Sequence, residues 1–279
     1  MKKIFLSILT SLLLMLLIAP SLKAQPLEGP PRDGFYDKLY MEQKKPAELP
    51  YVREADVLYS KRVWQRIDLR EKVNQTMYFP TTPTGGRKSL TQVLYDAIRE
   101  GSITAYDGFD DDFNQPLTPE QVKNRLEDER TMTLEDGRDT TYTVAFDPSA
   151  VTRIHIKEDW FFDAKRSMLD VRILGICPLR ERFDLETGES IGFEPVFWVY
   201  YPEARHVLVN EEVYNRHNDA HRVSFDDMFL RRMFNSYIIK ESNVYDRTIE
   251  QYFTGLDALL ESEKIQEEIR NFEHDLWEF

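Results

Sequence analysis

The residues of this chain that could support catalysis or bind a metal are few and scattered. The single cysteine, Cys177, precedes a proline at the end of a predicted strand, and the sequence assigns it no histidine that would activate a thiol. His217 and His221 have the spacing of a zinc pair on a helix, but the glutamate of an HExxH motif is absent and Asn218-Asp219 favours a turn. The preferred interpretation is a buried thiol and a polar turn, with a catalytic cysteine and a zinc pair as the alternatives.

Two further segments have compositions that suggest a ligand-binding site. Residues 107–114 (DGFDDDFN) contain four aspartates, but the ligand offsets of an EF-hand are missing, so we interpret them as a solvated acidic loop, with an irregular calcium site as the alternative. Residues 85–89 (GGRKS) lack the first glycine and the preceding strand of a phosphate loop, and Ser89 is better interpreted as a helix N-cap. Because a G-x-S-x-G elbow, a glycine-rich nucleotide turn and paired carboxylates are also missing from the sequence, we predict neither an enzyme nor a cofactor.

Basic and aromatic residues are grouped in residues 56–80 (DVLYSKRVWQRIDLREKVNQTMYFP), which we call the signature segment. Interpreted as a helix, it places Trp64 and Ile67 on one face, with Asn74 as a C-cap and Pro80 preventing further extension. The segment is therefore predicted to be an amphipathic helix with one aromatic anchor.

Charged residues of the signature segment lie beside this aromatic anchor. Some of the residues Arg66, Asp68 and Arg70 are therefore predicted to be incompletely solvated, and the planar guanidinium of arginine suits a bidentate pair with a carboxylate. The alternative is a solvated helix face.

The signature segment resembles the conserved string of the GldN/PorN family, which belongs to the gliding motility and type IX secretion machinery of Bacteroidetes. The further matches are Ser89-Leu90, GSITAY at 101–106 and SFDDMFLRRMFNSYIIKESN at 224–243, so that the resemblance spans roughly residues 51–245. The resemblance implies a structural or partner-binding role for six residues of the segment: Trp64, Arg66, Asp68, Arg70, Glu71 and Asn74.

The resemblance also implies partners. The chain is expected to be a non-enzymatic subunit that forms a ring with an outer-membrane lipoprotein of the GldK/PorK type, as a homo-oligomer within that ring. It is also expected to contact the periplasmic domain of a GldM/PorM-like protein. The alternatives are a peptide- or glycan-binding module, in which Trp160, Trp198 and tyrosines would line a groove, and a hydrolase with a non-standard site.

The N-terminal part of the sequence predicts export. Residues 1–24 combine two early lysines with an apolar run. This pattern predicts a signal peptide cleaved after Ala24, with a membrane anchor as the alternative. Since no cysteine stands at the cleavage region, membrane association is expected only through a partner, and the protein is expected in the periplasm at the outer membrane. The net charge of −13 argues against nucleic acid and anionic lipid as partners.

The remaining pattern predicts an α+β fold with a central antiparallel or mixed sheet flanked by helices. Residues 25–50 are a proline-rich extended arm, 51–245 the main domain and 246–279 an acidic helical tail. The predicted helices are 89–100, 119–130 with a capping box at Thr118, 224–237, and 256–279. The predicted strands are 141–146, 153–157, 168–177, 194–201 and 206–210.

The signal peptide leads to the first prediction. The exported protein is expected to begin near Gln25 and to bind membranes only through other proteins, because the sequence offers no lipidation cysteine. Mass spectrometry of the protein from cell envelopes gives the N-terminus. Tight binding of the purified chain, made without residues 1–24, to liposomes would contradict this interpretation.

Overall fold

The computed structural model describes residues 44–275, except 134–138, 145, 184–187, 216, 217 and 219. The helices of this part are α1 (Gln75–Tyr78), α2 (Leu90–Arg99), α3 (Pro119–Leu126), α4 (Tyr201–Leu208), α5 (Phe225–Leu230) and α6 (Leu256–Asp275). The strands are β1 (Val57–Asp68), β2 (Ala105–Asp107), β3 (Pro116–Leu117), β4 (Asp128–Thr133), β5 (Asp139–Val144), β6 (Val151–Asp163), β7 (Met168–Phe183), β8 (Ser190–Pro195), β9 (Phe197–Tyr200), β10 (Glu212–Val213), β11 (Val223–Ser224) and β12 (Tyr237–Glu241).

An eight-stranded sheet organises the described part of the chain. Its order is β12-β1-β6-β7-β9-β2-β3, with β8 pairing to β7, and the paired strands run antiparallel. Two small hairpins, β4–β5 and β10–β11, lie outside it. The α+β class with a large antiparallel sheet is therefore confirmed, while most of the predicted N-terminal arm lies outside the described residues.

The predicted helix in the signature segment is wrong, because residues 57–68 form the strand β1. Trp64 and Ile67 accordingly point to opposite faces of the sheet instead of sharing one. The alternation of apolar and polar residues that identifies a strand is missing here. Both faces of the sheet are covered at this point, so Val63, Trp64 and Gln65 are all buried. Asn74 is not a C-cap: it directly precedes the short helix α1.

One face of the sheet carries the main core. Ile67, Ile154 and Ile156, from β1 and β6, pack with apolar side chains of the helices. The helical contribution comes from α1 to α5 and includes Met77, Leu90, Leu94, Ile98, Val122, Leu126, Tyr201, Leu208, Phe225, Met228 and Phe229. Burial of this apolar surface is the main stabilising contribution to the fold.

The opposite face is covered by aromatic side chains and by the loop 107–115. Trp64, Trp198 and Cys177 form a second cluster there, and Phe113 of the loop packs edge-on against Trp198. Gly175 leaves room for this ring, since a Cβ at that position would lie 2.6 Å from Phe113 Cζ. The acidic loop is thus fixed to the sheet by an aromatic anchor.

The local capping signals are confirmed. Ser89 Oγ accepts a hydrogen bond from the Gln92 amide, and both Thr118 and Ser224 form capping boxes. The helix boundaries are less accurate, because α3 ends at Leu126 and α5 at Leu230.

Residues 206–210 were predicted as a strand, but residues 201–208 form α4. Pro202 occupies the first turn of this helix, and Ala204 and Leu208 are buried on one face of it. The apolar run Val207-Leu208-Val209 suggested a strand, but the tertiary contacts of this face determine the helix.

The predicted C-terminal helix is present as α6, and it packs on the sheet of its own chain. Ile265 and Ile269 are buried against Val63 and Ile238, and Phe272 stacks on Tyr59 with ring centroids 4.1 Å apart. Residues 276–279, including the predicted contact Leu276, lie outside the described part.

The packing of α6 gives a second prediction. Ile265→Ala is expected to lower the free energy of unfolding by about 2–4 kcal/mol, because it empties a buried site. Ile191→Ala is the matched control: the same atoms are removed from a side chain of β8 that is 71% exposed, and a change within about 0.5 kcal/mol is expected. Chemical denaturation measures both, and equal losses would contradict the packing of α6.

Candidate functional site

The signature segment is built on β1, whose neighbours are β12 on one side and β6 on the other. Its residues alternate between the faces, so that Trp64 and Arg66 share the aromatic face with their cross-strand partners Lys157 and His155. The strand ends at Asp68, and the following turn carries Arg70, Glu71 and Asn74. The six candidate residues therefore lie on one strand and its turn, but they do not form one cluster.

Trp64 lies between two lysines. Its side chain is 8% exposed, and Lys240 Nζ and Lys157 Nζ lie 4.2 and 5.5 Å from its ring centroid. Both distances fall within the range of a cation–π interaction, which strengthens when the ring is removed from water. Trp64 Nε1 is buried and has no hydrogen-bond acceptor among the described residues.

Lys157 connects this ring to the acidic loop. Its ammonium group, almost fully buried, donates to the Asp111 carbonyl oxygen at 2.6 Å and to Asp112 Oδ1 at 3.0 Å. Asp110 accepts hydrogen bonds from loop amides, including that of Asn114, and Asp107 pairs with Arg125. These carboxylates hold the loop in place, which accounts for the run of aspartates without a calcium ion.

Arg66 lies on a strand and not on the predicted helix, but it is mostly buried and pairs with a carboxylate, as predicted for some of these charged residues. Its guanidinium donates to His155 Nε2 at 3.1 Å, to the Tyr237 hydroxyl at 3.2 Å and to Glu250 Oε1 at 2.7 Å. Asp68 is not its partner. Burial lowers the pKa of His155 to about 3, and the positive charges of Arg66 and Arg153 act in the same direction.

Asp68 and Arg70 form a local pair in which Arg70 is exposed and Asp68 is partly buried. Asp68 accepts from the Arg70 amide at 2.9 Å and from its guanidinium at 2.9 and 3.1 Å. This hydrogen bonding with Arg70 lowers the pKa of the Asp68 carboxyl below its usual value. The pair closes the turn that follows β1, and because Arg70 is exposed it is expected to contribute little stability.

Asn74 and Glu71 join this turn to the segment before β12. The fully buried Asn74 donates through Nδ2 to the Asp68 and Asn235 carbonyl oxygens and accepts from the Asn235 amide, at 2.8–2.9 Å. Glu71 accepts from the Asn235 side chain at 2.7 Å. Two segments that are about 160 residues apart are therefore bound by backbone-directed hydrogen bonds.

A buried carboxylate that the sequence analysis missed continues the same connection. Glu158 is fully buried and accepts from Gln65 Nε2 at 2.9 Å, Trp160 Nε1 at 2.9 Å and Arg232 at 2.8 Å. Ser236 donates to the other end of Gln65. In the sequence, only the mixture of apolar and charged residues in β6 indicates a buried charge. The hydrogen-bond partners of Glu158 could not be predicted, because they lie on distant parts of the chain.

We call these contacts the signature network. It joins residues 65–74 and Glu158 to residues 232–237, and its members are Gln65, Arg66, Asp68, Glu71, Asn74, Glu158, Arg232, Asn235, Ser236 and Tyr237. Two of the stretches of sequence that carry the resemblance, 56–80 and 224–243, are thus hydrogen-bonded to each other.

Cys177 lies opposite His155 in the sheet, but the geometry does not form a nucleophile–base pair. Arg66 occupies Nε2 of His155, and the thiol donates to the Pro178 carbonyl oxygen at 3.6 Å. Complete burial raises the pKa of the Cys177 thiol, which disfavours the thiolate that a nucleophile requires.

The other predicted ligand sites receive no support from the described geometry. Trp198 is buried and donates a hydrogen bond to the Gly108 carbonyl oxygen, and Trp160 donates one to Glu158, so both indole N–H groups are engaged within the chain. Among the described residues, no group of three potential ligands could hold a metal ion, and His217 lies outside them. Nor is any helix in the described ranges long and apolar enough to span a membrane.

A further buried ion pair lies beneath the helices. Arg205 bonds both carboxylate oxygens of Asp226, at 2.8 and 3.1 Å, and Tyr201 donates to the same group. Arg205 also donates to the Ala47 carbonyl oxygen, which fixes the end of the described N-terminal segment. Sequence reasoning missed this pair, since only the fold brings α4 and α5 together.

These side chains hold strands, helices and loops of the chain in fixed positions. The chain matches the family model of gliding motility associated protein GldN over residues 52–278. This match covers most of the chain, so the chain belongs to the GldN family, a structural component of the gliding motility and type IX secretion machinery that is not known as an enzyme. A search of curated proteins found no match.

The asparagine of the signature network gives a third prediction. Asn74→Ala is expected to lower the free energy of unfolding by about 2–3 kcal/mol, because it leaves buried backbone groups of residues 68 and 235 without partners. Arg70→Ala, which removes an exposed side chain of the same turn, is expected to cost at most about 1 kcal/mol. Urea unfolding of both variants is the test, and the reverse order of losses would refute the assignment.

The buried histidine gives a fourth prediction, on pH. Between pH 6.5 and about 3 the unfolded chain protonates His155 and the folded chain does not, so stability falls as the pH decreases through this range. His155→Gln keeps an acceptor for Arg66 and removes this proton. Near pH 5, the slope of the unfolding free energy against pH should therefore be shallower by about 1.4 kcal/mol per pH unit.

The control for this pH dependence is His206→Gln, which alters an exposed histidine on α4. Its slope is expected to equal that of the wild type. Denaturant unfolding at several pH values between 7 and 5 measures all three proteins, and identical slopes would show that His155 titrates normally in the folded protein.

Proposed function

We propose that this chain is a non-enzymatic structural subunit of the type IX secretion and gliding motility machinery. In this proposal it lies in the periplasm and assembles with an outer-membrane lipoprotein of the GldK/PorK type into a ring. It also contacts the periplasmic domain of a GldM/PorM-like protein. Membership of the GldN family supports the general role, and the N-terminal sequence supports export.

The observation that carries the proposal is the match to the GldN family model over residues 52–278. Polar groups of the signature segment are largely occupied by internal contacts, whereas several large apolar side chains of the described chain are exposed. The most exposed are Tyr51, Leu58, Phe109, Ile191, Val244, Tyr245 and Leu256. Singly exposed apolar side chains are normal on protein surfaces, so these residues are available for contact with other proteins but do not by themselves mark an interface.

The net charge of the chain favours proteins as its partners. The net charge of −13 disfavours anionic lipid and nucleic acid, and the proposed attachment to the outer membrane is therefore made through the lipoprotein.

The test is affinity isolation of the tagged full-length chain from cell envelopes, with identification of the co-isolated proteins and measurement of particle size. We expect a GldK/PorK-type lipoprotein in stoichiometric amount and a particle much larger than the monomer. A tagged periplasmic protein of similar acidity, isolated in parallel, is the control for charge-driven contamination.

Two variants separate an internal role of the signature segment from direct contact with a partner. Arg70→Ala is expected to leave both melting temperature and co-isolation unchanged, whereas Asn74→Ala is expected to lower both together. Isolation of the exported wild-type chain as a monomer, without an envelope lipoprotein, would refute the proposed function.

A further inference from the structure

An apolar groove lies beside α1, on the side of the β10–β11 hairpin and the end of α5. One part has a volume of about 510 Å³, and a second part of about 450 Å³ adjoins it, with Thr76 and Tyr214 lining both. Four large apolar side chains of its lining are about half exposed: Val73, Phe79, Tyr214 and Met233. We call this surface the groove.

The rim of the groove is basic although the chain as a whole is acidic. Lys72 and Arg231 line it, are exposed, and have no acidic partner among the described residues. Arg232 also lines it, but its guanidinium is engaged with Glu158. The groove therefore presents apolar side chains between positive charges that no carboxylate of the described chain neutralises.

A second apolar surface, which we call the leucine patch, lies at the start of α6. It consists of Leu256, Leu259 and Leu260, and Leu256 is 70% exposed. Asp257 and Glu263 are exposed on the same stretch of helix and have no basic partner among the described residues. The leucine patch is therefore apolar with a negative rim, the opposite charge to that of the groove.

The leucine patch is held rigidly and does not fill the groove of its own chain. Ser262 Oγ accepts the Ile238 amide hydrogen at 2.9 Å, and the following turns bury Ile265 and Ile269 on the sheet. The lining of the groove includes no residue of α6. A patch fixed in this way loses little conformational entropy when it binds.

We propose that the leucine patch of one copy docks in the groove of a second copy of this chain. Insertion of the apolar face of a helix into an apolar groove is a common recognition mode, and the opposite rim charges would fix its orientation. The two surfaces share no residue, so the contact is heterologous and continues from copy to copy, closing to a ring or growing as a filament. The proposal rests on the proposed function as an assembly subunit and names the surfaces that this function would use.

A second copy is the simplest occupant, because the chain itself carries both complementary surfaces. A partner protein on the groove alone would leave the leucine patch exposed in every copy, whereas head-to-tail association covers both surfaces in all but the terminal copies.

The test is sedimentation velocity of the purified chain without residues 1–24, over a range of concentrations and at low and high salt. The wild type is expected to associate, and more weakly at high salt. Lys72→Glu with Arg231→Glu makes the groove rim acidic, and Asp257→Lys with Glu263→Lys makes the patch rim basic. Each double variant alone is expected to associate at least tenfold more weakly than the wild type.

A mixture of the two double variants is the decisive sample. In the mixture the acidic groove of one variant meets the basic patch of the other, and the unchanged surfaces also match, so an equimolar mixture is expected to regain association. Lys45→Glu with Lys165→Glu, which reverses two exposed lysines elsewhere, is the control and should associate like the wild type.

The proposal is overturned if the wild type stays monomeric, if either double variant associates normally, or if the mixture of folded variants stays monomeric. Co-isolation of the lipoprotein with the double variants distinguishes failure of the docking proposal from failure of the proposed function. If charge reversal does not change association but the lipoprotein is still co-isolated, the proposed docking surfaces are contradicted and the proposed function is not. Wild-type protein that neither associates nor brings down a lipoprotein contradicts both.

Discussion

A buried carboxylate must be neutralised, and much of this structure follows from how Glu158 meets that requirement. Its side chain is fully buried on β6 and accepts hydrogen bonds from β1, from its own strand and from Arg232, which follows α5. Removing a single partner of such a group strands a charge at low dielectric, at a cost of roughly 3–5 kcal/mol. Glu158 therefore fixes the segment that leads from α5 into β12 against the central strands.

The position of β12 in turn determines what the protein presents to partners. Asn74 and Arg66 hold the residues around the start of β12, and α6 then attaches to β12 through Ser262 and Ile265. The same connection places Met233, at the end of α5, on the groove. The signature network thus adjoins the groove through Arg232 and holds β12, to which the helix of the leucine patch is attached, so changes within it are expected to alter assembly by displacing those surfaces.

Sequence reasoning succeeded where the determining contacts are local. The caps at Ser89, Thr118 and Ser224 depend on residues three positions apart, and the apolar stripe of α6 repeats at helical spacing. It failed on β1 because burial on both faces removes the alternation that identifies a strand.

Within the candidate site, sequence reasoning found the segment but not the contacts. The sequence predicted a carboxylate partner for the arginines of this segment but not which one. The partners of Arg66 are His155, Tyr237 and Glu250, which lie 89 to 184 residues away. No spacing rule connects such positions. Lys157 and Glu158 were missed for the same reason, since each becomes significant only when β6 pairs with β1 and the loops close over them.

The most direct measurement is a double-mutant cycle on the free energy of unfolding with Glu158→Gln and Arg232→Gln. If the signature segment serves mainly as an internal connection, each single variant should lose about 3 kcal/mol, with a coupling energy of at least about 1 kcal/mol. Single variants as stable as the wild type, with coupling near zero, would contradict the account. Loss of lipoprotein co-isolation in such stable variants would show that these charges contact a partner instead.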